Sequence, residues 1–338
     1  MTDINTYEGL RSSIFQVDAN NFEELALHVF RYQSQHNPIY GAYCKAIGCN
    51  PNIVQSLQAI PFLPIQFYKS HEIKSYATKE EMVFESSGTT GSINSKQFVK
   101  SLAWYEQSFS KTFSNFYGDV STYCILGLLP SYLEKGNSSL VYMVDDLIKK
   151  SRHISSGFYL YNHEALALKL QQNEKDQQPT LLIGVSYALL DFAEAHPCQL
   201  QHTIVMETGG MKGRREEMTK AALHKQLMLQ LGTNAIHSEY GMTELMSQAY
   251  AKQLGLFQTP EWMKVILRSE DNPLETLDMD FNKQSSYRGA INIIDLANID
   301  TCSFIATEDW GTCYANGDFE ILGRLENSDI RGCGLMIL

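Results

Sequence analysis

Positive charge is scarce in this chain. Its 27 lysines and arginines face 38 aspartates and glutamates, leaving a net charge of −11 at pH 7. So acidic a protein repels a phosphate backbone, which argues against a large nucleic acid interface. It leaves a local loop free to hold a small anion through backbone dipoles. Long hydrophobic runs are also missing. The most apolar stretch, from Ile125 to Leu133, is too short to span a bilayer and contains Pro130. The first residues, MTDINTYEGLRSS, lack the basic start and apolar core of a signal peptide. The seven cysteines (44, 49, 124, 198, 302, 313 and 333) are scattered without zinc-ligand spacing. Their odd number argues against a disulfide framework, so the expected compartment is a reducing cytoplasm.

What is present is a globular composition, 44% apolar and 19% charged. The first 80 residues read as helical. Asn21 followed by Glu24 resembles a capping box, and Phe22, Leu25, Ala26, Val29 and Phe30 share one helical face. Pro61 and Pro64 then impose an extended segment. Residues 81–338 read as the core, and the whole chain as one continuous functional unit. Strand-like runs at Met82–Phe84, Tyr123–Leu129, Leu181–Val185 and Thr203–Met206 alternate with helical patterns at Ala103–Phe116 and Arg214–Leu231. That alternation predicts an α/β fold with mainly parallel sheets covered by helices. From residue 258 the texture is β-rich, with short strands and a hairpin turn at Asn316-Gly317-Asp318.

Four segments carry chemistry. Ser86-Ser87-Gly88-Thr89-Thr90-Gly91 follows the first strand of the core and can aim hydroxyls and backbone N–H groups at one anion. In a parallel sheet, ligands sit at the carboxyl ends of strands, where this loop is expected. It is no Walker loop, because Gly91 is followed by Ser92 and Ile93 and the next lysine is Lys96. Gly209-Gly210-Met211 follows another strand and lets backbone approach a flat ligand. In Tyr240-Gly241-Met242-Thr243-Glu244, an aromatic face, a hydroxyl and a carboxylate can serve a base, a phosphate oxygen and Mg2+. Lastly, Asp309 precedes Arg324 by fifteen residues across the Gly317 hairpin, so a strand pair could bring both to two ribose hydroxyls.

The order SSGTTG, GGM, EYGMTE and then Asp309 and Arg324 resembles the adenylate-forming superfamily of acyl-CoA synthetases and luciferases, over about residues 82–334. The resemblance implies that ATP phosphates are held by Ser86, Ser87, Gly88, Thr89, Thr90 and Gly91. It implies adenine contacts from Gly209, Gly210, Met211 and Tyr240, with Gly241 in the turn. Thr243 would contact phosphate, Glu244 would bind Mg2+, and Asp309 and Arg324 would hold ribose. The fold implied is the large N-terminal domain of that superfamily. Its usual small C-terminal domain, with a lysine for adenylation, has no counterpart before Leu338. Either adenylation is then assisted differently, for instance by Lys96 or a neighbouring subunit, or the chain works as part of a complex.

The ending Asp329-Ile330-Arg331-Gly332-Cys333-Gly334-Leu335 is similar to that of the acyl-protein synthetases of bacterial luminescence. That similarity implies acylation of Cys333. Arg331 would favour the thiolate, and the glycines around it give mobility. The other six cysteines have no assigned role. The expected activity is ATP-dependent activation of a fatty or other carboxylic acid to an acyl-adenylate, then transfer to Cys333. An acyl-reductase or acyl-carrier protein would be the partner. The alternatives are a ligase using coenzyme A or a carrier-protein thiol, and a non-catalytic nucleotide- or acyl-binding module.

Overall fold

The fold is described from a computed structural model covering residues 3–86, 93–130, 137–211, 214–216 and 218–325. In chain order its helices are α1 (Tyr7–Ile14), α2 (Phe22–His36), α3 (Pro38–Ala46), α4 (Phe67–Ser70), α5 (Leu102–Tyr117), α6 (Ser139–Ser151), α7 (His163–Lys175), α8 (Ser186–Ala195) and α9 (Lys220–Leu231). Its strands are β1 (Leu63–Pro64), β2 (Met82–Glu85), β3 (Lys96–Val99), β4 (Cys124–Leu128), β5 (Gly157–Phe158), β6 (Thr180–Val185), β7 (Thr203–Thr208), β8 (His237–Tyr240), β9 (Ala249–Ala251), β10 (Met263–Arg268), β11 (Ser286–Asp295), β12 (Phe304–Tyr314) and β13 (Phe319–Arg324). They fall into two compact units. Unit 1 comprises Met1–Ser108, Glu244–Ser247 and Gln258–Leu338; unit 2 comprises Phe109–Thr243 and Gln248–Phe257.

Unit 2 holds the parallel sheet that strand–helix alternation predicts. Its order is β5-β4-β6-β7-β8-β9, parallel throughout except for the antiparallel β8–β9 pair. β4 and β6 are buried along their whole lengths, so their sequences CILGL and TLLIGV carry no polar alternation. α6 packs on β4, and α8 packs on β6, β7 and α9. At Gly184 a Cβ would lie 2.9 Å from Leu189 Cγ, so the close approach of α8 to β6 needs glycine there. α9 starts at Lys220 rather than at Arg214, because Thr219 provides the cap, its hydroxyl accepting from Ala222 N at 3.2 Å. Arg215, just before, is committed instead to Asp191 and Glu194.

Unit 1 holds the β-rich portion. β1-β12-β11-β10 form one sheet, with β13 also on β12; only the β1–β12 pair is parallel. β12 runs to Tyr314, much longer than the Cys302–Ile305 run suggested, and turns into β13 around Gly317 at φ 87°. The predicted apolar face of α2 is buried, and Phe30 meets Tyr40 and Phe304 edge-on. Asn21 does precede α2, but its side chain makes no cap; Oδ1 accepts instead from Asp18 N at 2.9 Å. Among the described residues no helix is long and apolar enough to cross a membrane.

Gln33, fully buried on α2, ties this helix to the turn after β11. Its amide donates to the carbonyls of Asn298 (2.9 Å) and Ile299 (3.0 Å), and its Oε1 accepts from Ser303 N (2.9 Å). Gln33→Leu leaves those buried groups without partners. It should lower the unfolding free energy by about 3 kcal/mol, measured by urea denaturation.

Candidate functional site

β2 and β3 form a hairpin on their own, separate from the parallel sheet. The loop beginning at Ser86 therefore joins two antiparallel strands, and the expectation that it lies at the end of a parallel strand is corrected. The run Met82-Val83-Phe84-Glu85 pairs with Lys96–Val99 instead of feeding a helix. Ser86 closes the neck of the hairpin. Its N–H donates to Ser95 O (3.0 Å), and its Oγ accepts from Ser95 N (2.9 Å). Lys96 lies across the neck, 3.5 Å from Glu85. Ser87, Gly88, Thr89, Thr90 and Gly91 lie outside the described residues, as does Cys333.

Glu244 begins a buried turn, Glu244–Ser247, that belongs to unit 1. Its carbonyl accepts from Asn298 Nδ2 at 2.7 Å and from Gln97 Nε2 at 3.1 Å. The next polar groups of the turn are taken up by Asp295. Its Oδ2 accepts from the N–H groups of Met246 (3.0 Å) and Ser247 (2.9 Å), and its Oδ1 from Ser247 Oγ (2.8 Å). Burial raises the Glu244 carboxyl above its usual range. A hydrogen bond from Ser95 and the charges of Arg324 and Lys69 partly offset that rise. Ser95 thus contacts both Ser86 and Glu244. A hard, buried oxygen donor whose negative charge is under-compensated suits Mg2+, which binds through one or two carboxylates plus phosphates. Among the described residues no group of three or more His, Cys, Asp or Glu could hold a metal by itself.

The predicted strand pairing of Asp309 with Arg324 is observed. The two stand directly opposite in the β12–β13 register, with Arg324 Nε 3.6 Å from Asp309 Oδ1. Asp309 is buried and the Arg324 side chain is exposed. β10 carries a residue that periodicity missed. Arg268 is buried on β10 and donates to the carbonyls of Ile291 and Thr307 and to Asn292 Oδ1. Its only sequence signal is a charge ending an apolar strand.

In unit 2, Gly209-Gly210-Met211 follows β7 and Tyr240 ends β8, so the two segments leave adjacent parallel strands. Gly209 takes φ 66°, and Met211 is buried. The Tyr240 ring packs 5.7 Å from Phe257, and Thr243 is half-buried. At Gly241 a Cβ would sit 2.4 Å from Glu239 Oε1, so a larger residue there would push the Glu239 carboxyl aside. Two acids beside these segments were not singled out from sequence. Burial pushes Glu239 up to about 7, against a 2.5 Å hydrogen bond from Thr208 Oγ1. Burial also pushes Glu207 up, but His224, Lys220 and Ser238 outweigh it and hold the carboxyl at about 2. For Glu207 a carboxylate near the end of an apolar strand was the available signal; Glu239, in the polar strand His237–Tyr240, offered none.

The six cysteines without an assigned role are poor nucleophiles as they stand. Burial raises all of them, Cys44 and Cys313 to about 12 and Cys198 to about 11.

No protein-family model matches the sequence, and no curated protein matches it. Solved structures do. A double mutant of o-succinylbenzoate CoA synthetase (MenE) from Bacillus subtilis, bound with its product analogue OSB-NCoA, is 16% identical with a TM-score of 0.50. The match covers 75% of this chain and 52% of that one. The same enzyme in complex with ATP and magnesium ion is 15% identical, covering 78% of this chain and 54% of that one, with a TM-score of 0.48. The luciferase-like enzyme of the nonluminescent mealworm Zophobas morio is 14% identical, covering 73% and 59%, with a TM-score of 0.47. The chain spans about half the length of these structures. The likeness extends to the fold alone, a mixed α/β domain.

Glu239 gives a pH prediction. Its folded pKa is raised, so the native state binds the proton more tightly than the unfolded chain. Its stabilising contribution is complete below pH 4.5 and is lost as pH rises to about 7. Glu239→Gln should remove a decline of up to about 3 kcal/mol between those limits, read from urea midpoints at pH 5 and pH 7.5.

Proposed function

We propose that this chain activates a carboxylic acid with ATP and passes the acyl group to its own Cys333, the whole chain acting as one functional unit. The observation that carries the reading is the direct cross-strand register of Asp309 and Arg324, in a chain with this fold and with the other motifs in the same order. Asp309 and Arg324 are assigned to the ribose. Gly209, Gly210, Met211 and Tyr240 are assigned to adenine, with Gly241 leaving room for Glu239. Ser86, Ser87, Gly88, Thr89, Thr90, Gly91 and Thr243 are assigned to the phosphates. Glu244 would hold Mg2+, which when bound neutralises phosphate charge.

In the first step a carboxylate oxygen of the acid attacks the α-phosphorus. The bond from that phosphorus to the bridging oxygen breaks, and pyrophosphate leaves with the electron pair. Hydroxyl and N–H groups of the loop stabilise the charge that develops. In the second step the Cys333 thiolate attacks the acyl carbonyl and the bond to the AMP oxygen breaks. AMP leaves, the thiol proton having gone to solvent, and a thioester remains. A fatty acid is the proposed substrate, and an acyl reductase or acyl carrier the acceptor.

ATP–pyrophosphate exchange with acids from acetate to long-chain fatty acids tests the first step, and intact-protein mass spectrometry the second. Exchange should depend on the acid, and an acyl adduct should form on the wild type but not on Cys333→Ser. An adduct that persists in Cys333→Ser overturns the cysteine assignment. Exchange with no adduct until coenzyme A is added identifies an external thiol. No exchange with any acid leaves a binding module.

A further inference from the structure

We propose that Gln97 and Asn298 are positioning residues for Glu244, clamping its peptide carbonyl so that the carboxylate is presented to the cation of Mg·ATP. The inference rests on the assignment of Glu244 to that cation. Gln97 lies on β3, the strand that follows the Ser86–Gly91 loop, and is fully buried. Its Nε2 donates to Glu244 O at 3.1 Å and to Thr301 Oγ1 at 3.3 Å. Asn298, in the turn Leu296–Asp300 after β11, donates to the same carbonyl at 2.7 Å and to Cys302 O at 3.1 Å. Its Oδ1 accepts from Met246 N at 2.8 Å. Two side chains from separate elements thus converge on one carbonyl oxygen.

The chemistry of Gln97 argues for more than filling space. Its Oε1 is buried and, among the described residues, without a hydrogen-bond partner, so the amide carries a desolvation cost that an apolar side chain of similar size would avoid. What the amide supplies is the donor to Glu244 O. With both donors in place, the Glu244 backbone cannot shift without breaking buried hydrogen bonds. Ser95, two residues before Gln97, bonds the Glu244 side chain. One short strand segment therefore fixes Glu244 at both its carbonyl and its carboxylate. A misplacement of about 1 Å at such a group can cost on the order of a hundredfold in rate.

Gln97→Met keeps the volume, removes the donor and also removes the orphan acceptor. ATP binding in the absence of acid, measured by calorimetry with MgCl2 and with EDTA, reads the cation directly. The expected result is a Kd for Mg·ATP about tenfold weaker, an unchanged Kd for ATP in EDTA, a kcat for exchange at least tenfold lower and a Tm close to wild type. Asn298→Asp, which sets an oxygen against Glu244 O, should lose more. Wild-type values for Gln97→Met in both binding and rate overturn the clamp. So does an equal loss with and without Mg2+ that tracks a fall in Tm, which marks a structural role alone. A wild-type protein that neither binds ATP nor exchanges with any acid overturns the adenylation reading itself.

Discussion

The position of Glu244 depends on one buried carboxylate, Asp295. It has no exposure, and its oxygens accept from Met246 N, Ser247 N, Ser247 Oγ and Ala297 N. A buried charge without a cation beside it persists only when donors surround it. Burial still wins in part, holding the carboxyl at about 6 against its hydrogen bonds. Ser247 extends the network, accepting from Trp262 Nε1 at 2.8 Å and sharing a hydrogen bond with Ser108 at 3.1 Å. The turn Glu244–Ser247 is therefore fixed group by group through polar contacts, and hydrophobic packing alone would not set its register to the same tolerance.

Unit 2 solves the opposite problem with two neighbouring acids. Glu207 and Glu239 leave adjacent strands one register step apart, since Glu207 stands opposite Ser238 and Thr208 opposite Glu239. Two buried carboxylates this close cannot both ionise cheaply. The fold separates them chemically. Glu207 receives Lys220, with His224 and Ser238 alongside, and stays charged. Glu239 accepts from the Thr208 hydroxyl, and burial holds its carboxyl up at about 7. The Gly209 and Tyr240 segments therefore start from strand ends with one fixed charge, and one that changes with pH.

Much of the fold was legible because burial writes itself into periodicity. β4 and β6 are apolar throughout because both their faces are covered, and α2 shows its buried stripe. The meeting of Asp309 and Arg324 was legible in outline, since the Gly317 turn folds β13 back on β12, but a bulge between Trp310 and Gly311 shifts the register by one residue and sets Arg324 opposite Asp309. What escaped were contacts between residues far apart in the chain. Nothing local in Lys96-Gln97-Phe98 says that the amide meets Glu244, 147 positions on. Nor does Asn298 resemble anything but a turn asparagine. The Asn21 cap failed for a related reason: a short polar side chain has several backbone partners within reach, and Asp18 N took it.

The hairpin context changes the physical meaning of the Ser86–Gly91 loop. A glycine-rich loop that feeds a helix can borrow the helix N-terminus for an anion. Here β3 follows, and β3 ends at Val99, before α5 begins at Leu102. On the proposed assignment, recognition of phosphate at this loop would come from its own N–H and hydroxyl groups, together with the cation assigned to Glu244. Both depend on one short segment, since Ser95, just before β3, closes the loop's neck and bonds the Glu244 carboxylate while Gln97 on β3 holds its carbonyl. On the proposed assignment, distortion of this segment would disturb loop neck and acid together, so Mg·ATP would respond to changes here as one unit and not as two additive contacts.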